Sequence, residues 1–487
     1  MENDSRSNAT IIAALATTGI VVSLMQTLLL PLLSTLPQLL DTTPGNASWA
    51  VTATLLAGAI STPVAGRLGD MYGKRRVLLS CLLLVIVGST ICATNSELIP
   101  VIVGRTLQGL GMGVVPLGIS IMRDLLPAER MGFAVSVMSA TMGVGGAVGL
   151  PAASLVAEAF DWHVMFWSVA ILNTIVALVI YRVVPESSVR SGGRVDLGGV
   201  VGLATVLFCL LLIITKGAQW GWSSAMVVSL SGVLAVVTPT WAWWQWRARQ
   251  PLVNLRISVT RPVLLTNMAS LLAGFAMYGQ ALILPQVLQA PSVTGYGLGL
   301  SMVASGLCLA PCGLGMILVS PLSARIINTR GPRFALMLGL ALIAGGYALG
   351  AFAINQVWQV VTVATVIASG VGIAFASMPT LIMRSVPIAE TGAGNGLNAL
   401  MRSTGTTLAG AVVGAVLTGS IDNVDSLPFP TESAFHSSFL ICGAAAATAC
   451  TLAAFIPRVV SDIGYRNMIL DPARGINDPP RRARVDD

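Results

Sequence analysis

The feature that most constrains this chain is the recurrence, from residue 10 to residue 457, of mainly apolar stretches separated by short charged segments. A helix that crosses a bilayer needs about 20 apolar residues at roughly 1.5 Å of rise per residue. In hydrocarbon every backbone N–H and C=O must be satisfied internally, which leaves helices or a closed barrel. The alternating segments of about ten residues that build a barrel do not occur in the sequence. We therefore expect an all-α polytopic membrane protein. Fourteen spans are read, over 10–36, 48–66, 77–95, 98–121, 132–157, 162–183, 197–215, 223–246, 262–288, 297–324, 334–353, 357–383, 392–419 and 435–457.

Composition agrees. With 55% hydrophobic and 10% charged residues, and a mean hydropathy of +0.82, the chain has too little polar surface to dissolve as a globule. The flank MENDSRSN lacks a basic n-region, so the first span is expected to be retained rather than cleaved.

A net charge of +7 could suggest nucleic acid, but its distribution argues otherwise. Of the 27 Lys and Arg residues, all except Arg105, Arg402 and Lys216 fall on one side of this topology. By the positive-inside rule that side is cytoplasmic, which places both termini inside the cell and requires an even number of spans; 25 of the 27 are Arg, a composition that points to a GC-rich bacterial genome and so to a bacterial inner membrane. The expected partners are the lipid bilayer, a small lipophilic substrate and protons, with no nucleic acid and a monomeric chain.

No cofactor or metal is expected. The seven cysteines, Cys81, Cys92, Cys209, Cys308, Cys312, Cys442 and Cys450, sit in or at the ends of spans without a C-x-x-C pair. His163 and His436 are the only histidines, too few for a catalytic or metal-binding cluster in the spans, so an embedded enzyme is disfavoured.

Spans 1–6 and 9–14 read as two copies of one six-helix unit. This gives a bundle over 1–184, a two-helix insert with linkers over 185–258, a second bundle over 259–458 and a disordered cytoplasmic tail over 459–487. The segment GRLGDMYGKRR after span 2 and SARIINTRGPR after span 10 share a basic, glycine-containing character. Repeats of this kind build transport sites between two rocking halves. The four tryptophans of WAWWQWRARQ close span 8 as interfacial anchors.

In GRLGDMYGKRR the glycines let neighbouring helices approach, and Asp70 can accept hydrogen bonds from a helix N-terminus or a basic side chain. Gly66, Gly69, Asp70, Gly73, Lys74, Arg75 and Arg76 resemble the signature after helix 2 of the major facilitator superfamily of secondary transporters. The resemblance implies a latch that forms in only one of two conformers. Two further stretches extend it. Span 4 carries RTLQGLGMG, with Arg105 and Gln108 on one face. Span 5 carries GVGGAVGLP, with Gly143, Gly145, Gly146 and Gly149 as close-packing positions and Pro151 as a bend. This segment is similar to the superfamily's antiporter signature, although the usual proline after the central glycine is replaced by Ala147. The stretches DWHVMFWSVAILN and PLVNLR resemble the fourteen-span drug:proton antiporter branch.

That branch implies an aspartate midway along span 1, where this chain has Met25, with Gln26 beside it. No Asp or Glu lies deep in any of the fourteen spans. Glu158, Asp70 and His163 remain as candidate proton carriers, since coupling needs a group that titrates between conformers. Intramembrane cations are functional candidates by default. Arg402, sharing a face with Asn395 and Asn398, and Arg105 favour a neutral or anionic substrate. Gln26, Arg105, Gln108, Glu158, Asn267, Tyr278, Gln280, Asn398 and Arg402 are the expected substrate and proton pathway. The expected function is proton-coupled efflux of a small lipophilic compound by alternating access. Uptake, or lipid or metabolite transport without proton antiport, is the alternative.

Overall fold

Helices occupy the apolar stretches. The computed structural model describes residues 2–457 except 28, 30, 31, 33–35, 48, 188–195, 249, 250, 388, 389, 425 and 426. The tail over 459–487 lies outside the described residues. The long helices are α1 (Glu2–Thr27), α2 (Trp49–Tyr72), α3 (Lys74–Thr94), α4 (Leu98–Leu125, with a 3₁₀ turn at Gly111–Gly113), α5 (Ala128–Ala159) and α6 (His163–Val183). They continue with α7 (Leu197–Trp220), α8 (Ala225–Arg247), α9 (Arg261–Gln289), α10 (Met302–Arg330), α11 (Pro332–Gly350), α12 (Val357–Ser385), α13 (Thr391–Gly419) and α14 (Glu432–Ala454). Among the described residues, thirteen helices have the length and hydropathy to cross a membrane, and the 32-residue α5 lies between the fourth and fifth of them.

Two large apolar cores form. One is drawn mainly from α1–α6, around Leu15, Leu82, Met122 and Phe166, and the other from α9–α14, around Leu284, Tyr347, Phe375 and Phe439. A third, smaller core lies along the seam where α2 meets α13. There Leu56 and Leu400 are covered by Leu203, Leu207 and Leu211 of α7 and by Leu252 and Val253. Helix α5 packs against α10 and α12, so the first and second six-helix groups meet along α2–α13 and along α5. In the most apolar window of α8 only 6% is buried, against 72% for α12, which puts α8 at the periphery and α12 at the centre.

Two differences from the sequence reading have clear causes. The first helix ends at Thr27 rather than near residue 36, and a separate turn, Leu36–Leu39, follows. The sequence reaches Pro31 four residues later, and a proline ring clashes with the preceding helical turn. The expected loop over 66–76 is largely helix. Helix α2 runs through Gly66, Gly69 and Asp70 to Tyr72, leaving only Gly73 between it and α3. Gly73 has φ +110°, a conformation that a Cβ would strain. The matching corner between α10 and α11 is made by Gly331 at φ +86°. A short antiparallel hairpin, Ile421–Val424 with Leu427–Pro430, joins α13 to α14.

Candidate functional site

The N-terminus of α13 exposes backbone N–H groups that no preceding turn can accept. Its N-cap residue, Glu390, supplies no side-chain cap. The cap comes from the other six-helix group: Asp70 Oδ1 accepts from the Gly392 N–H at 3.1 Å and Oδ2 from the Ala393 N–H at 2.9 Å. A carboxylate there is favoured by the positive end of the helix dipole. Gly66 permits this close approach, since a Cβ at that position would stand 2.2 Å from the Gly392 carbonyl oxygen.

Charge around Asp70 is arranged in depth. Lys74 Nζ lies 3.5 Å from Asp70 Oδ1 and 2.7 Å from Asp124 Oδ2, with both lysine and Asp70 side chains sealed from solvent. Ser187 Oγ donates to Asp124 Oδ2. Arg123 Nη1 donates to Thr391 Oγ1 at 2.9 Å, a second bond across the seam, and Asn395 Nδ2 reaches Ser120 Oγ at 3.4 Å one turn further in. Arg75 and Arg76 play another part. Glu186 Oε1 accepts the Arg75 N–H at 3.2 Å at the start of α3, Arg76 pairs with Glu186 at 3.7 Å, and the Arg75 guanidinium lies over the Tyr181 ring. These contacts tie the start of α3 to the end of α6 and the segment just after it.

Arg105 is 2% exposed and is held by its neighbours. Its Nε donates to the Ala50 carbonyl at 3.1 Å and its Nη1 to Gln108 Oε1 at 2.7 Å, while Gln108 Nε2 donates to Ser89 Oγ at 2.8 Å. Three helices, α2, α3 and α4, are tied together by this buried network.

In the second group Asn398 Nδ2 donates to Asn267 Oδ1 at 3.0 Å and to Ser270 Oγ at 2.6 Å, joining α13 to α9. Gln280 Nε2 donates to the Ala364 carbonyl at 3.1 Å. Tyr278 is half-buried on α9, and Gln26 half-buried on α1. Arg402 lies with its Cζ 4.7 Å from the Phe375 ring centroid. Glu390 does not approach it, and instead accepts from Asn254 Nδ2 at 3.3 Å. Met25 is fully buried in the first core.

Along α5, a Cβ on Gly143 would meet Met316 Sδ of α10 at 2.0 Å, and one on Gly145 would meet Ser23 of α1 at 2.3 Å, so these glycines mark close helix contacts. Gly149 is buried. The side-chain environments of Gly146, Pro151 and Glu158 lie outside the described residues. On the opposite face His163 Nδ1 meets Asp161 Oδ1, and its Nε2 lies 3.1 Å from Ser96 Oγ. The N–H and ring of His163 hydrogen-bond to the Asp161 carboxyl, holding its pKa below the ordinary carboxylate value.

The sequence reading did not single out Arg123, Asp124, Ser187, Thr391 or the amides of Gly392 and Ala393. The Arg123–Asp124 pair at the end of span 4 was a visible signal, because opposite charges at a helix end invite partners. Backbone amides leave none.

Residues 15–410 match the family model described as Major Facilitator Superfamily. The chain is 25% identical over 386 residues to Multidrug resistance protein 3 of Bacillus subtilis (strain 168), covering 77% of this chain and 73% of that one. It is 26% identical over 372 residues to Multidrug resistance protein Stp of Mycobacterium tuberculosis (strain CDC 1551 / Oshkosh), covering 76% and 68%. Among solved structures, the proton:xylose symporter XylE superposes with a TM-score of 0.64 at 14% identity, covering 93% of this chain and 97% of that one.

Proposed function

Because the chain belongs to the Major Facilitator Superfamily, we propose that it is a proton-coupled exporter of small lipophilic neutral or anionic compounds, working by alternating access. It is a multi-pass membrane transporter and not an enzyme. In this proposal α5 is the fourteenth crossing, both termini are cytoplasmic and the chain acts as a monomer of two six-helix halves with α7 and α8 between them. The names of relatives such as Multidrug resistance protein 3 support an export role.

The observation that carries the reading is the capping of α13 by Asp70. A carboxylate from one half that closes the N-terminus of a helix in the other can persist only while the two halves touch at that face. Breaking it opens the basic, cytoplasmic side; reforming it closes that side and leaves the outer side free to open. Asp70 is the carboxylate shared by both halves, so we assign it the coupling role: its ionised form favours the closed seam, and protonation weakens the attraction to the α13 amides. Lys74, itself held by Asp124, lies beside that carboxylate, and Arg123 bonds the neighbouring Thr391.

Everted membrane vesicles test the function. Acidifying the lumen should drive accumulation of a lipophilic dye, and a protonophore should abolish it. Accumulation that a protonophore leaves unchanged would contradict proton antiport. That outcome would favour the second reading, a carrier of the same fold without proton coupling, to which the replacement of the span 1 aspartate by Met25 already lends support.

A further inference from the structure

Arg105 and Arg402 lie well inside their spanning helices, and their surroundings differ in kind. A guanidinium carries five N–H donors and no acceptor. Arg105 is sealed and its donors are directed at the Ala50 carbonyl and Gln108. Arg402 is only half-buried, and among the described residues its guanidinium has no hydrogen bond and no ion pair, only the Phe375 ring beneath it. A charge placed this way near the middle of a 29-residue spanning helix is costly unless a partner reaches it.

Local packing fixes where Arg402 points. Helices α9 and α13 touch backbone to backbone: a Cβ on Gly274 would stand 2.2 Å from the Arg402 carbonyl oxygen, and one on Gly405 would stand 1.8 Å from the Leu271 carbonyl oxygen. On the helical wheel Arg402 falls between Asn395 and Asn398. Asn395 reaches Ser120 in the first half, and Asn398 reaches Asn267 and Ser270 on α9. Arg402 therefore lies on the side of α13 that Asn395 and Asn398 turn toward α4 and α9. Phe375, 1% exposed, forms a rigid floor under it.

We propose that Arg402 on its Phe375 floor is the anion subsite of the transport pathway, and that the preferred substrate is a lipophilic carboxylate. The inference rests on the transporter reading and narrows its substrate class. A carboxylate can accept two parallel N–H bonds from a guanidinium, while Phe375 supplies apolar surface for the body of the molecule. The resting cation–π contact holds the side chain in place and is weak enough to yield to an ion pair.

The test compares pyrene-1-acetate with its methyl ester, a matched anion and neutral compound, binding to the full-length protein in lipid nanodiscs, with empty nanodiscs subtracted. Wild type is expected to bind the acid at least tenfold more tightly than the ester. Arg402→Gln should abolish that preference while leaving ester binding within about twofold, and Arg402→Lys, which keeps the charge, should retain it. Equal binding of acid and ester by wild type, or a preserved preference in Arg402→Gln, would overturn the proposal. If Arg402→Gln fails to accumulate, the wild-type ratio alone decides. Binding is read without a gradient, so a protein that prefers the acid yet exports nothing contradicts the transport reading and not this one.

Discussion

Asp70 Oδ2 stands 2.9 Å from the amide nitrogen of Ala393, so the carboxylate at the end of the second helix caps a helix more than three hundred residues away in sequence. The bond crosses the seam where α2 meets α13. The bonds are charge-assisted, yet their acceptor is one side chain that a proton can neutralise.

Lys74 sits between Asp70 and Asp124 with its side chain sealed from solvent. Replacing it with Met removes the cation that lies between two buried carboxylates, and Asp124 Oδ1 has no hydrogen-bond partner among the described residues. Lys74→Met should cost about 3–5 kcal/mol, lowering the thermal unfolding midpoint in detergent and abolishing transport. Arg76→Ala, which removes a pair whose arginine side chain is 71% exposed, should cost under about 1 kcal/mol and serve as the control.

Gly66 makes room for α13. Gly66→Ala places a methyl group 2.2 Å from the Gly392 carbonyl oxygen, where both groups are main-chain bound and cannot swing aside. The variant should insert normally but favour the state in which this face is open, at a cost to the closed state of about 1–3 kcal/mol. Gly396→Ala, whose Cβ would meet Pro63 Cα at 3.0 Å, should be milder. Cysteine accessibility at the seam in the two variants checks the order.

That apolar helices fill the chain could be read from the sequence, because apolar length is a local property, whereas helix ends such as Thr27 and Tyr72 fell elsewhere than expected. The partner of Asp70 could not be read there. Its chemistry belongs to backbone amides that every residue except proline carries, and only the fold shows which helix end arrives there. Arg105 and Arg402 look alike in sequence, each a lone cation in an apolar span. What separates them is the set of groups around them, the Ala50 carbonyl of α2 and Gln108 one turn along the same helix for one, and the Phe375 ring of α12 for the other. The helical continuation through Asp70 was hidden by Gly66 and Gly69, which read as loop residues but serve close packing.

Asp196 ties α7 to α8. It accepts from the Gly199 N–H at 2.8 Å, from Trp244 Nε1 at 3.0 Å and from Gln245 Nε2 at 2.7 Å, and Gln245 Oε1 in turn accepts the Val253 N–H at 3.0 Å. Burial pushes the Asp196 carboxyl up, but these bonds together outweigh it and leave the pKa below the ordinary value. A depressed carboxylate contributes stability above the unfolded pKa of about 4 and loses it as pH falls through the folded value. Asp196→Ala should cost about 1–2 kcal/mol at neutral pH, and the difference from wild type should shrink below about pH 4, as followed by thermal melts across pH.

Spin labels at Tyr72 and Thr329, both exposed and at the ends of α2 and α10, report most directly on whether Asp70 holds the halves together at this face. Pulsed electron paramagnetic resonance on the cysteine-replaced protein in nanodiscs should show a dominant short distance when Asp70 is present, shifted to a longer population by Asp70→Asn. A distance distribution that Asp70→Asn leaves unchanged would contradict the account.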